Sequence, residues 1–274
     1  MPAYNENDLD TMARLLPGIS EQLRAAMASV SLSAARIAPP EEREKNPALD
    51  RDAALLNASC YRMLRLINNL SAAELLANPP HWQFYSEDAV SLCQDACDKA
   101  EALFELRGLT VSFTSDTAFR PIAMERTQME RLLFNLFSNA MKFTPAGGKV
   151  TVSLRETRDW VHIAVSDTGC GIPADKQDAL FERAFLDDPL DPTPHGIGLG
   201  LPLCAMIARA HGGRIVAESH EGKGTTVTVS LPNRNTDSVQ LHQPTIDYAG
   251  GFNRVLLELS DALPAEAFLQ KNLD

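Results

Sequence analysis

The sequence predicts an α/β fold, a two-layer sandwich of helices on a mixed sheet, preceded by a long antiparallel helical hairpin. Three observations predict it. Before residue 80, two apolar stripes recur at three- and four-residue spacing, separated by a short charged connector. After residue 82, amphipathic helical patterns alternate with short segments of period two, the signature of helices packed on a sheet. Neighbouring short segments are joined by polar turns, so part of that sheet is antiparallel.

The first stripe, Leu15, Leu16, Ile19, Leu23, Met27, Val30 and Leu32, lies within Leu9 to Ile37 and predicts one long helix, kinked near Pro17-Gly18 and stopped by Pro39-Pro40. After the connector Glu41 to Asn46, the second stripe runs Leu55, Leu56, Tyr61, Met63, Leu64, Leu66, Ile67 and Leu70 and ends at Asn78-Pro79-Pro80. A hairpin buries one face of each helix only. Pairing with a second copy into a four-helix bundle, a homodimer, is therefore expected, with packing on its own following domain as the alternative. Ala89 to Leu106 reads as a helix, Leu109 to Thr114 as a strand, and Arg126 to Phe143 as a helix carrying Met129, Leu132, Leu133, Leu136 and Ala140. Lys149 to Arg155 and Trp160 to Ser166 form a predicted hairpin. A helix from Leu199 to His211 is closed by Gly212-Gly213, and strands Arg214 to Ser219 and Thr225 to Leu231 flank the turn Glu221-Gly222-Lys223-Gly224. In the tail, Phe252, Val255, Leu256, Leu257, Leu259 and Leu263 predict an amphipathic helix, docked on the protein's own surface or offered to a partner. The expected division is a hairpin at 1–80, an α/β domain at 81–234 and a tail at 235–274.

Composition narrows the function. A formal charge of −11 opposes attraction to nucleic acid and to anionic lipid, so neither is an expected partner. No apolar run approaches the roughly 18 residues needed to cross a bilayer, and the first ten residues are polar and acidic, so no membrane insertion is expected. The five cysteines are odd in number and lack a CxxC pair, which suits a reducing cytoplasm. Cys93 and Cys97 lie one helical turn apart, but nothing nearby completes a tetrahedral metal set, so two buried thiols are expected.

Three stretches carry chemistry. On the helix ending at Phe143, Asn135, Asn139 and Lys142 share one side. Amide oxygens suit a hard cation such as magnesium, and an ammonium suits phosphate. The turn Asp167-Thr168-Gly169-Cys170-Gly171-Ile172-Pro173 follows a strand, placing a carboxylate where it can accept a hydrogen bond from an exocyclic amine. The run Gly196-Ile197-Gly198-Leu199-Gly200-Leu201 opens a helix, where backbone N–H groups and the dipole favour phosphate.

In order, Asn135-x-x-x-Asn139, Asp167-Thr168-Gly169-x-Gly171-Ile172, Phe181-Glu182, Gly196-x-Gly198-Leu199-Gly200-Leu201 and Gly222-x-Gly224-Thr225 resemble the N, G1, F, G2 and final glycine boxes of the sensor histidine kinase ATPase domain. The resemblance spans roughly Phe84 to Pro232 and implies the Bergerat α/β sandwich. It further implies that Asn139, helped by Asn135, holds magnesium, that Lys142 touches the phosphates of ATP, and that Phe143 lines the base. Asp167 would read the adenine amine, Gly169 and Gly171 would let the base approach, Thr225 would complete the pocket through water, and Phe185 to His195 would form the lid. Hydrolysing branches of the superfamily carry a glutamate where Asn135 stands. An amide cannot take a proton from water, so fast ATP hydrolysis is not expected.

The chain also departs from the family. The acceptor helix of these kinases carries Ser-His-Glu-Leu-Arg-x-Pro-Leu, and the match here is Ser20-Glu21-Gln22-Leu23-Arg24-Ala25-Ala26-Met27, with Glu21 in place of the histidine and Gln22 in place of the assisting acid. No histidine precedes His81, so ordinary autophosphorylation of the hairpin is not expected. Near the lid, Arg183 is the nearest cation, while Asp187, Asp188 and Asp191 would repel a triphosphate unless turned outward. His162, His211 and His220 read as structural; His195 adjoins the phosphate loop, with a nucleotide contact as its alternative reading, and His81 reads as a solvated linker residue, with a substitute phosphoacceptor as its alternative. The sequence therefore points to a histidine-kinase-like signalling protein that binds ATP and Mg2+ and transfers phosphate to a histidine on another chain or domain. Its competitors are an impaired regulator that docks a response regulator or partner kinase, and an anti-sigma-type serine kinase.

Overall fold

The computed structural model describes residues 6–77, 82–177, 180–181, 198–235 and 252–273. It divides into two compact units, Met1–Pro80 with Pro264–Asp274, and His81–Leu263.

In the smaller unit, α1 (Glu6–Ile37) and α3 (Pro47–Ala77) pack together, with Arg24 Nε donating to Asn68 Oδ1 at 3.2 Å, as an antiparallel hairpin requires. α1 passes through Pro17-Gly18 as one helical element. The charged connector is itself a helix, α2 (Pro40–Lys45): proline occupies its first turn, Glu41 and Glu42 face the positive end of its dipole, and Arg43 and Lys45 the negative end. Buried between the helices are Met27, Ala54, Ala58, Tyr61, Leu64 and Ile67. Ile19, Leu23, Val30, Leu55, Leu56, Met63 and Leu66 stay exposed in the single chain. The last residues fold back on the hairpin through two single 3-10 turns, Ala265–Phe268 and Gln270–Asn272. Buried Arg43 pairs with Asp50 at 2.8 Å and donates to the Phe268 carbonyl at 2.9 Å, while the Phe268 ring lies 5.1 Å from Tyr61.

The larger unit is a five-stranded sheet with helices on one face. In chain order its elements are β1 (Tyr85–Asp88), α4 (Ala89–Leu106), β2 (Thr110–Ser115), β3 (Pro121–Met124), α5 (Arg126–Phe143), β4 (Lys149–Glu156), β5 (Trp160–Asp167), α6 (Ala174–Gln177), α7 (Gly200–Ala210), β6 (Arg214–His220), β7 (Gly224–Pro232) and α8 (Arg254–Leu259). The main sheet runs β2-β4-β5-β7-β6, parallel between β2 and β4 and antiparallel elsewhere. Alternation along the strands sends Val150, Val152, Leu154, Val161, Ile163, Val165, Val229 and Leu231 to the buried face. There they meet Leu92, Phe104, Met129, Leu133, Phe137 and Met141 from the helices, each such side chain contributing about 1.5–3 kcal/mol on burial. This is the α/β sandwich the sequence predicts. β1 and β3 form a separate two-stranded ribbon that the sequence does not announce, since four residues such as Tyr-Ser-Glu-Asp carry no readable period.

Both helices of the site's scaffold are capped by carboxylates. Asp88 accepts from Val90 N and Ser91 N at 3.2 and 3.1 Å, and Glu125 accepts from Thr127 N and Gln128 N at 3.2 and 2.6 Å. Cys93 and Cys97 face the core from α4; burial pushes the Cys93 thiol well above its usual range and the Cys97 thiol up to about 12. His211 is structural. Its Nδ1–H donates to the Ile207 carbonyl at 2.8 Å, its Nε2 accepts from Glu125 N at 3.0 Å, and the Phe84 ring meets it edge-on at 4.9 Å.

That pairing uses the neutral imidazole, and burial holds the His211 pKa below its ordinary value of 6.5. The unfolded chain therefore takes up the proton first, so this contribution is intact above about pH 6.5 and is lost as pH falls below it towards the lowered native pKa. Both tryptophans, Trp82 and Trp160, lie in the larger unit and report on it. Urea unfolding followed by their fluorescence should give lower stability at about pH 5.5 than at about pH 7.5, with a smaller loss in His211→Asn. Equal losses in both chains would remove His211 as the source.

Candidate functional site

Helix α5 is set by its buried side. Leu132, Leu133, Leu136, Phe137, Ala140 and Met141 are buried, and Phe137 meets Phe104 and Phe134 edge-on with ring centroids at 5.6 and 6.0 Å. This fixes the phase in which Asn135, Asn139 and Lys142 succeed one another along the helix. Asn135 is 3% exposed; its Nδ2 donates to the Arg131 carbonyl at 2.8 Å, which turns the carbonyl Oδ1 towards Gly200, where an added Cβ would stand 3.1 Å from it. Asn139 is partly exposed, and its amide has no hydrogen-bond partner among the described residues. Lys142 is engaged: its ammonium donates to Asp261 Oδ2, and Ser138 Oγ donates to Asp261 Oδ1 at 2.8 Å. Phe143, at the helix end, is 42% exposed.

Asp167 closes β5, where its carboxylate is half-buried. Oδ1 accepts from Gly169 N at 2.8 Å and from Thr225 N at 3.3 Å; Oδ2 has no protein donor among the described residues. Burial raises the carboxyl pKa, and the two backbone N–H groups partly offset that rise. The turn after it is tied to α5 by Cys170 N donating to the Phe143 carbonyl at 3.1 Å. A Cβ on Gly169 would stand 2.5 Å from that same carbonyl, and one on Gly171, at φ +70°, 2.1 Å from the His220 carbonyl. The room these glycines leave is taken first by the protein's own backbone, and this brings the turn against both α5 and the β6–β7 turn. Ser219 was not signalled by sequence, a serine in a strand being unexceptional. It accepts from Ile172 N at 2.8 Å, donates to the Gly224 carbonyl at 3.1 Å, and lies 2.8 Å from Thr225 Oγ1. Gln177 adds a second clamp, donating to the Ile172 and Ser219 carbonyls at 2.7 and 3.0 Å.

α7 begins at Gly200 after Gly198 at φ +70°, with Leu199 as an N-cap that supplies no side-chain acceptor. The helix therefore starts beside Asn135 without a side-chain cap from Leu199. Adjacency runs from Asp167 to Phe143, one helical turn back to Asn139, a further turn to Asn135, and across to Gly200. Gly196, His195, Glu182, Arg183 and the stretch 185–195 expected to form a lid lie outside the described residues, as does His81. On the hairpin, Glu21 is 77% exposed at the side chain and bonds Arg24 at 3.2 Å.

The residues present fit a magnesium–nucleotide ligand. Two neutral amide oxygens on one side of α5 beside a helix N-terminus match a cation that is also held by phosphates, since Mg2+ takes few protein ligands and keeps oxygens from its substrate. A carboxylate with one oxygen anchored and one open matches an amine donor. Among the described residues no three His, Cys, Asp or Glu side chains gather as a metal cluster.

Several known proteins are similar to parts of this chain. Residues 124–235 match the family described as histidine kinase-, DNA gyrase B- and HSP90-like ATPase. The adaptive-response sensory kinase SasA of Synechococcus sp. (strain JA-3-3Ab) is 30% identical over 84% of this chain, and the chain spans 62% of that relative. The catalytic domain of histidine kinase ThkA is 25% identical, with a TM-score of 0.50, over 56% of this chain and 99% of that domain. Full-length ShkA in complex with AMPPNP, at 23% identity, shares the fold with a TM-score of 0.65 over 80% of this chain and 45% of its own. Among the described residues no helix is long and apolar enough to cross a membrane.

The turn geometry sets a stability test. Gly224 sits at φ +95° with an added Cβ only 2.0 Å from the Asp167 carbonyl, whereas Gly222, at φ +75°, has nothing within 4 Å. Gly222→Ala should cost only backbone strain, about 1 kcal/mol, and Gly224→Ala at least about 2 kcal/mol with a lower Tm. Equal melting shifts would contradict the packing of this turn.

Proposed function

The chain carries an ATPase domain of the histidine kinase-, DNA gyrase B- and HSP90-like family and is related to sensor histidine kinases, and on that premise we propose that it binds ATP with magnesium and takes part in phosphoryl transfer in a signalling pathway. The observation that carries the reading is Asp167, whose carboxylate is anchored through Oδ1 by two backbone N–H groups and keeps Oδ2 for an adenine amine. In this reading Phe143 and Thr225 flank the base. Asn139 and Asn135 hold magnesium, which neutralises phosphate charge, and Lys142 with the N–H groups of Gly198, Leu199 and Gly200 takes phosphate oxygens. Gly196 would belong to the same loop.

The acceptor lies elsewhere. Glu21 is an exposed carboxylate at the position where the family's acceptor histidine stands, and phosphorylated it would give only a labile acyl phosphate. A histidine on another chain or domain is the acceptor this chemistry favours. The exposed apolar face of the hairpin supports a homodimer built as a four-helix bundle, to which a response regulator or partner kinase would bind. A regulator that binds nucleotide without transferring phosphate is the second reading, favoured by the glutamate at position 21; a serine kinase of the anti-sigma type is a third.

Purified protein with radiolabelled ATP, alone and with candidate partners, separates these readings. Acid-labile label on a partner supports histidine transfer, acid-stable label supports a serine kinase, and binding without transfer supports the regulator. Steady hydrolysis of ATP should be absent, because Asn135 offers no base. Asn139→Asp or Asp167→Ala should abolish nucleotide binding in calorimetry, and unchanged affinity in both would remove the site assignment.

A further inference from the structure

The lysine read as a phosphate contact is already bound to a carboxylate of the same chain. Asp261 takes the Lys142 ammonium on one oxygen and the Ser138 hydroxyl on the other, and the two charged side chains are only 12% and 20% exposed. The segment that delivers it is seated along the length of α5. Arg254 donates to the Thr127 carbonyl at 2.7 Å and pairs with Glu130 at 3.2 Å, and Glu258 lies 3.9 Å from Arg131. Leu256, Leu257, Leu259 and Leu263 are buried. Contacts therefore run from Thr127 at the start of the helix to Lys142 at its end, so the contact is built by a docked element and not by a stray side chain.

We propose that the segment Phe252–Leu263 is a built-in competitor for the phosphate end of the nucleotide site, with Asp261 standing in for a phosphate oxygen on Lys142. The inference rests on the reading of Lys142 as a nucleotide contact. A carboxylate and a phosphate on the same ammonium repel one another strongly where water is sparse. Lys142 thus serves either the tail or the nucleotide. Binding is then reciprocal: nucleotide loosens the segment from α5, and anything that draws the segment away raises nucleotide affinity. The apparent affinity of the resting chain is its intrinsic affinity reduced by the fraction of molecules whose Lys142 is released.

Asp261→Asn keeps the shape and the Ser138 contact while removing the charge. Calorimetry on the full chain should give MgATP binding about tenfold tighter than in the parent, with adenosine, which has no phosphate, unchanged. MgATP binding equal to or weaker than that of the parent would overturn the competition, because Asp261 would then be orienting Lys142 for the nucleotide. Absence of MgATP binding in both chains would overturn the nucleotide reading itself, and this inference with it. In the unmutated chain, saturating MgATP should speed hydrogen exchange at the amides of Arg254 to Leu259. Unchanged exchange there would also overturn the proposal, whatever the stability of the variant.

Discussion

The rotational setting of helix α5 underlies the geometry of the larger unit. Its apolar side, carrying Met129, Phe134 and Phe137, packs against Phe104 and the buried face of the sheet, and a turn of the helix about its axis would drive Asn139 or Lys142 into that core. An amide or an ammonium buried without partners costs several kcal/mol, so the alternative settings are closed. The polar side is thereby carried to one place: Asn135 beside the start of α7, Asn139 partly exposed, and Phe143 against the turn that follows β5. Packing energy spent on the apolar side is what preorganises the polar one.

Asp167 has the same character at smaller scale. One carboxylate oxygen collects the backbone N–H groups of two separate turns, and the glycines of those turns let Phe143, His220 and Asp167 carbonyls come closer than any side chain would allow. The surroundings of Asp167 are thus held by backbone, with Ser219 and Gln177 as side-chain fasteners. Asp167 braces its surroundings through one oxygen, and among the described residues no group donates to the other.

Much of this was legible in the sequence. The bounds of α4 and α5 follow from long periodic stripes, and the strands of the main sheet from alternation between turn glycines. The order of the boxes led to Asn135, Asn139 and Asp167. Other features were not legible, for physical reasons. β1 and β3 are too short and mixed to show a period, and the connector at Pro40–Lys45 is helical because its charges suit a dipole that a six-residue run does not advertise. Ser219 acts through tertiary proximity alone. Asp261 is separated from Lys142 by 119 residues, and nothing in Ser260-Asp261-Ala262 hints at its partner.

The covering of α5 by the C-terminal segment bears on where the ATPase domain ends. The family match stops at residue 235, near the last strand, yet Phe252, Leu256, Leu257 and Leu259 complete the core around α5. A fragment trimmed at the family boundary would leave an oily furrow along that helix and strip Lys142 of its counter-charge. Such a fragment would be prone to stick to itself. Nucleotide constants measured on it would describe an electrostatic environment that the intact polypeptide does not have.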